Sequence, residues 1–188
     1  MFFSGLLQCI GNAARWPASG LLLGMVAIIA TPAIADQPPA VVSLTPDSGS
    51  GAAGEFSFVI NDADGFEDIK TMVLIVSDGG QGLQNTCAAG WTQTSDPKGL
   101  YFVLTDDAAG YHSDGYHAEN SQCEMYIDWS TVSGSGNAVW VTFHLRFKTE
   151  VFSGPKTILV AAEDQQGLTT GLVTVGQFVV DEMQPYVH

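Results

Sequence analysis

The sequence predicts an all-β protein, an antiparallel two-sheet β-sandwich of about nine strands. Three observations carry this. After the first 35 residues no stretch keeps apolar side chains at i, i+3, i+4 and i+7 over three turns. Short runs rich in Val, Ile, Leu and aromatic residues recur instead. Between these runs lie clusters of Gly, Asp, Asn and Ser, the residues that reverse a chain.

The elements follow in order. Residues 41–44 form the first strand. In the second, Phe56, Phe58 and Ile60 alternate with Ser57 and Val59, the period of a half-buried strand. Residues 69–76 are nearly continuously apolar, as expected of a strand covered on both faces. Residues 100–104, 125–129, 139–147, 158–162 and 172–180 complete the set. Alternation is explicit in 139–147: Val139, Val141, Phe143, Leu145 and Phe147 share one face, and Trp140, Thr142, His144 and Arg146 the other. The separators include Ser48-Gly49-Ser50-Gly51, Asp62-Ala63-Asp64-Gly65 and Ser133-Gly134-Ser135-Gly136-Asn137. Residues 36–40, with Pro38 and Pro39, form an extended lead-in, and residues 181–188 a polar tail.

The N-terminus has the pattern of a secretory signal: Arg15, the apolar run 21–30, and the small-x-small exit Ala33-Ile34-Ala35. Cleavage after Ala35 is expected, with an uncleaved anchor as the other reading. Secretion to the extracellular space or cell surface follows. Cys9 leaves with the signal, so the mature chain keeps Cys87 and Cys123. An even pair in an oxidising compartment suits a structural disulfide; a metal pair or a nucleophile are the other uses, and neither cysteine has a CxxC partner.

Composition excludes several classes. The 188 residues carry 20 acidic and 6 basic side chains, a formal net charge of -14, which opposes binding to a nucleic-acid backbone or an anionic membrane surface. Ten Phe, five Tyr and four Trp supply a core, so the chain is not intrinsically disordered. No GxSxG elbow, HExxH pair or Walker loop is present, and no enzyme is expected.

The opening Pro46-Asp47-Ser48-Gly49-Ser50-Gly51, then Phe56-Ser57-Phe58 and Asp62-Ala63-Asp64-Gly65-Phe66-Glu67-Asp68-Ile69, resembles the start of bacterial Ig-like repeats in exported proteins. Cys87, Leu100-Tyr101-Phe102-Val103-Leu104-Thr105-Asp106-Asp107, Asn120-Ser121-Gln122-Cys123 and Val132-Ser133-Gly134-Ser135-Gly136-Asn137 follow in order. With Phe147, Phe152, Gly154, Ala161-Ala162-Glu163-Asp164 and Gly167-Leu168, they are similar to an Ig-like domain common in secreted acidobacterial proteins. The resemblance spans about residues 41–180. It implies an Ig-like sandwich with a Cys87–Cys123 bridge and brings no catalytic residues. Residues 110–119 depart from it, with Tyr and His where a shorter connection is usual.

Three constellations carry candidate chemistry. Residues 61–68 hold five oxygen-rich side chains in eight positions, and Asp62, Asp64 and Asp68 are candidate ligands for calcium, which takes hard oxygens from flexible loops. The loop is not an EF-hand: Ile60 stands two places before Asp62, and Thr71 stands where the closing Glu would be. An inter-strand turn is the plainer reading. Asp106, Asp107, His112, Asp114, His117 and Glu119 mix imidazole and carboxylate as zinc would require, but the spacing from His112 to His117 fits no helical ligand pair. Tyr111, His112, Asp114, Tyr116 and His117 therefore form a candidate contact loop rather than a metal site. Trp140, on the face opposite the apolar one, is a candidate sugar platform, with Trp91 and Trp129 as neighbours to consider.

The functional expectation is a non-enzymatic secreted or cell-surface module with a structural, adhesive or matrix role. It needs no cofactor beyond the candidate calcium, and its partners are other extracellular proteins or copies of itself. The alternatives are a subunit of an extracellular polymer, assembled through its N-terminal segment or sheet edges, and a carbohydrate-binding module.

Overall fold

The structure, a computed structural model, describes residues 35–79 and 83–181. The signal segment up to residue 34 and the tail beyond Asp181 lie outside the described residues. No helix among those described is long and apolar enough to cross a membrane.

Thirteen strands are described. They are β1 (Ala40–Thr45), β2 (Ser48–Ser50), β3 (Ala53–Asn61), β4 (Ile69–Ser77), β5 (Cys87–Thr92), β6 (Leu100–Leu104) and β7 (Tyr111–His112). There follow β8 (His117–Glu119), β9 (Cys123–Tyr126), β10 (Thr131–Ser135), β11 (Ala138–Phe147), β12 (Gly154–Asp164) and β13 (Val173–Val180). The first sheet runs β1-β3-β11-β9-β8, with β10 also on β11; the second runs β2-β13-β12-β4-β5-β6-β7. Pairing is antiparallel throughout except for β2 on β13. This is the two-sheet, all-β sandwich that the alternating pattern predicts, compatible with an Ig-like fold.

The core lies between the sheets. Phe56, Phe58 and Ile60 of β3 and Val141, Phe143 and Leu145 of β11 meet Met72, Leu74 and Val76 of β4 and Ile158 and Val160 of β12, all buried. Phe58 and Phe143 pack edge to face at 5.6 Å between centroids, the arrangement that aromatic quadrupoles favour. Strand β4 is buried along most of its length, in keeping with its nearly continuous apolar run.

The strands number thirteen rather than about nine because pairing creates strands where composition suggests turns. Strand β5 opens Cys-Ala-Ala-Gly and looks too small for a core strand; the ring of Phe102 on β6 covers Gly90, so a side chain there would collide with it. Strand β10 reads as a Ser-Gly turn, yet Gly134 is the floor on which the Phe66 ring rests. The reversal from β10 to β11 needs only Gly136, with φ 59°, and Asn137. Residues 106–119 cross between the sheets: β7 extends the second sheet from β6, and β8 extends the first from β9.

Cys87 and Cys123 are joined, with 5.5 Å between their Cα atoms. The bridge ties β5 of the second sheet to β9 of the first, and both cysteines are fully buried.

Candidate metal centre

Three segments converge at the end of the sandwich where β4 begins: the lead-in 35–39, the loop 62–68 between β3 and β4, and the turn 164–168 after β12. Each is held by its own backbone. Asp62 directly follows β3; its N–H donates to the Asn137 carbonyl at 2.8 Å, and its Oδ1 accepts the Asp64 N–H at 2.9 Å. That local acceptor starts the turn, and Gly65, with φ 115°, reverses the chain into a single 3-10 turn over Phe66–Asp68. Asp164 closes β12 in the same manner, its Oδ1 accepting the N–H groups of Gln166 at 2.9 Å and Leu168 at 2.8 Å. The Gln165 N–H donates to the Asp68 carbonyl at 2.8 Å and locks turn to loop. The Gln37 N–H donates to Asp64 Oδ2 at 2.8 Å and brings in the lead-in.

The result is a knot of five carboxylates with spare oxygens. Asp62 and Asp164 are 0% exposed. Each spends one oxygen on backbone donors and leaves Oδ2 buried without a partner. Asp68 Oδ2 and both carboxyl oxygens of Asp36 are likewise shielded and unpartnered. The lysine ion pairs lie elsewhere, Lys70 on Glu163 and Lys148 on Glu119. Buried carboxylates without hydrogen bonds or counter-charges are costly, and a bound cation or a proton relieves the cost.

The electrostatics agree. Loss of water around its carboxyl pushes Asp36 up to about 6, and a carboxyl-to-carboxyl contact with Asp64 and the negative charges of Asp164, Asp64 and Asp68 add to it. Burial also raises Asp62; the Asp64 N–H opposes this, and the charges of Asp68, Asp64 and Asp164 reinforce it. Carboxylate oxygens with neither thiolate nor imidazole suit a hard cation, calcium before zinc. Within the cluster the ligand atoms of Asp62, Asp64 and Asp68 lie within 4.8 Å of one another, and so do those of Asp36, Asp68 and Asp164.

The structure thus brings together Asp62, Asp64 and Asp68 and adds two residues that sequence reasoning missed. Asp36 sits in what reads as a plain extended lead-in. Asp164 heads an Asp-Gln-Gln-Gly turn whose chemistry is visible in the sequence, but nothing in the sequence says that it abuts residues 62–68.

The other candidates are placed differently. In the contact loop, Asp114 Oδ1 accepts the N–H groups of Tyr116 at 2.9 Å and His117 at 2.6 Å, and these donors hold its carboxyl below the usual range. Asp107 is lowered in the same way by the Ala109 N–H and then the Thr105 hydroxyl. Lys148, 2.7 Å away, lowers Glu119. These acids serve as turn caps and a salt bridge, and among the described residues no metal-ligand group forms there. His112 Nδ1 accepts the Glu119 N–H at 3.3 Å, while Tyr111 and Tyr116 remain exposed.

Trp140 is 47% exposed on the outward face of β11. Trp129 is more exposed, at 63%, and stacks on Tyr126 with centroids 5.1 Å apart. His144 meets the Trp129 ring edge-on at 6.1 Å, and His117 meets Tyr126 at 5.7 Å. Trp91 faces elsewhere, half-buried with its Nε1 donating to the Lys98 carbonyl at 2.9 Å. A cleft of about 1010 Å³ opens beside it, lined by Phe66, Tyr101 and Ile127 with polar and charged side chains such as Asp96, Lys98 and Asp128, and by neither histidine nor cysteine.

Fold and site together define a disulfide-bridged β-sandwich with a carboxylate cluster at one end. No protein-family model and no curated protein matches the chain.

Proposed function

We propose that the chain is an exported, non-enzymatic Ig-like module of the kind found in secreted bacterial proteins, with a structural or adhesive role and an N-terminal end fixed by bound calcium. The observation that carries this is the pair Asp62 and Asp164, fully buried, each with one oxygen oriented by backbone donors and the other unpartnered. Oriented ligands backed by fixed hydrogen bonds are what metal sites use to hold geometry. The disulfide suits an oxidising compartment.

The test is thermal unfolding of the purified chain with calcium and with a chelator at neutral pH. At a hundredfold excess over Kd, calcium is expected to add about 2.7 kcal/mol. For a domain of this size that is roughly 5–10 °C in Tm. Asp164→Asn keeps the oxygen that accepts from Gln166 and Leu168 but loses the charge. It should lose most of the calcium shift yet be no less stable than the parent in chelator, since it relieves repulsion. Equal unfolding with and without calcium would sink the reading.

A second reading, contact with glycans, is favoured by the exposed Trp129 stacked on Tyr126. An indole face with imidazoles at its margin offers both stacking and hydrogen bonds to a sugar ring. Trp129→Ala should abolish retention on a glycan array while leaving the unfolding free energy within about 0.5 kcal/mol of the parent, the range of most surface substitutions. Unchanged retention would discard this face as a sugar platform.

A further inference from the structure

The five carboxylates do not form one ligand set. They form two trios, Asp62-Asp64-Asp68 and Asp36-Asp68-Asp164, and only Asp68 belongs to both. Ligands of a single calcium, bound at about 2.4 Å, cannot lie farther apart than about 4.8 Å. Each trio meets that limit and the five together do not. Each also contains its own fully buried carboxylate with an unpartnered Oδ2, Asp62 in one and Asp164 in the other. Charge points the same way: five carboxylates, two of them fully buried and Asp64 exposed, carry five negative charges, so one divalent ion leaves three uncompensated and two leave one.

We infer that the site takes two divalent cations bridged by the Asp68 carboxylate, one held by the loop alone and the other shared with the lead-in. This rests on the calcium reading above and deepens it. Ions that share a carboxylate sit about 3.5–4 Å apart in two-metal sites. The two ions have different tasks. The Asp62-Asp64-Asp68 ion draws all its ligands from one loop of the sandwich, whereas the second draws Asp36 from the lead-in, Asp164 from the β12 turn and Asp68 between them. The second ion therefore docks the N-terminal segment, and the first shapes the surface that it docks on.

The deciding experiment is native mass spectrometry of the full chain titrated with calcium chloride, with Asp36→Asn run alongside. The expected result is two calcium ions per chain, falling to one in Asp36→Asn. That substitution lies ahead of β1, so folding of the sandwich is not at stake, and near-ultraviolet circular dichroism checks this directly. A single ion in the parent chain overturns the two-ion inference and leaves the calcium reading standing. No bound ion overturns both, and two ions in Asp36→Asn remove the lead-in from the site.

Discussion

Stripped of metal, the protein should lose stability as the pH rises from about 4 to about 7, and calcium should remove that loss. The direction follows from Asp36, whose carboxyl is raised from 3.8 to about 6 in the folded chain. A group raised on folding holds its proton more tightly in the native state. Its contribution is complete below the unfolded value and disappears as pH climbs through the folded one. Asp62 is raised as well and acts in the same sense. In the full chain the side chains facing Asp36 are all acids, Asp64, Asp68 and Asp164, and all act in the direction of the trend. The lowered acids, Asp107, Asp114 and Glu119, work in the opposite sense but in another window: their stabilisation is lost only as pH falls below about 4. Calorimetry of metal-free protein should thus give a maximum in Tm near pH 4–5. With calcium the maximum should move to neutral pH, because the ion replaces the proton as the partner of the ionised carboxylates. A metal-free profile that rises toward pH 7 would contradict the cluster electrostatics.

Removal of the disulfide should have the largest single effect. Cys87 and Cys123 are 36 residues apart, and closing such a loop in the unfolded chain is worth about 4 kcal/mol in the chain-entropy treatment. The double variant Cys87→Ala, Cys123→Ala should therefore melt roughly 8–16 °C lower. The location adds a sharper expectation. Cys87 pairs with Val76 near the end of β4, whereas the carboxylate cluster adjoins Ile69 at its start. Seven residues of extended strand separate them by about 23 Å. Sites that far apart should act independently, so loss of the bridge and loss of calcium should add to within about 0.5 kcal/mol. Denaturant unfolding of the four states, bridged and unbridged, with and without calcium, measures this. A strong coupling would mean that the two ends of the sandwich communicate.

The parts of this molecule that are legible in its sequence are those in which each residue reports its own environment. The alternation from Val139 to Phe147 gives face and depth for β11, and the nearly continuous apolar run from Ile69 to Val76 announces a strand covered on both sides. What is not legible depends on a distant partner. Strand β5 is a strand because the Phe102 ring fills the space above Gly90, and β10 because the Phe66 ring rests on Gly134. The carboxylate cluster divides along the same line. Asp62, Asp64 and Asp68 are close in sequence and visible as a group, while Asp36 and Asp164 reach them only through the pairing of β1 with β3 and of β12 with β4.

The lengths of the outermost strands have a consequence for how copies of this protein behave together. The second sheet ends in β2 and β7, of three and two residues, and the first ends on one side in the three-residue β8. Strands this short offer an incoming chain too few backbone donors and acceptors to template further pairing. The longest outer strand, β1, carries an irregularity between Val41 and Ser43, which interrupts the ladder that a neighbour would need. Among the described strands these features disfavour edge-to-edge addition at β1, β2, β7 and β8, and leave the five-residue β10, paired only with β11, as the one regular outer strand of comparable length. Edge-to-edge assembly is therefore expected to begin at β10 or at β1, the strand that directly follows the tethered lead-in.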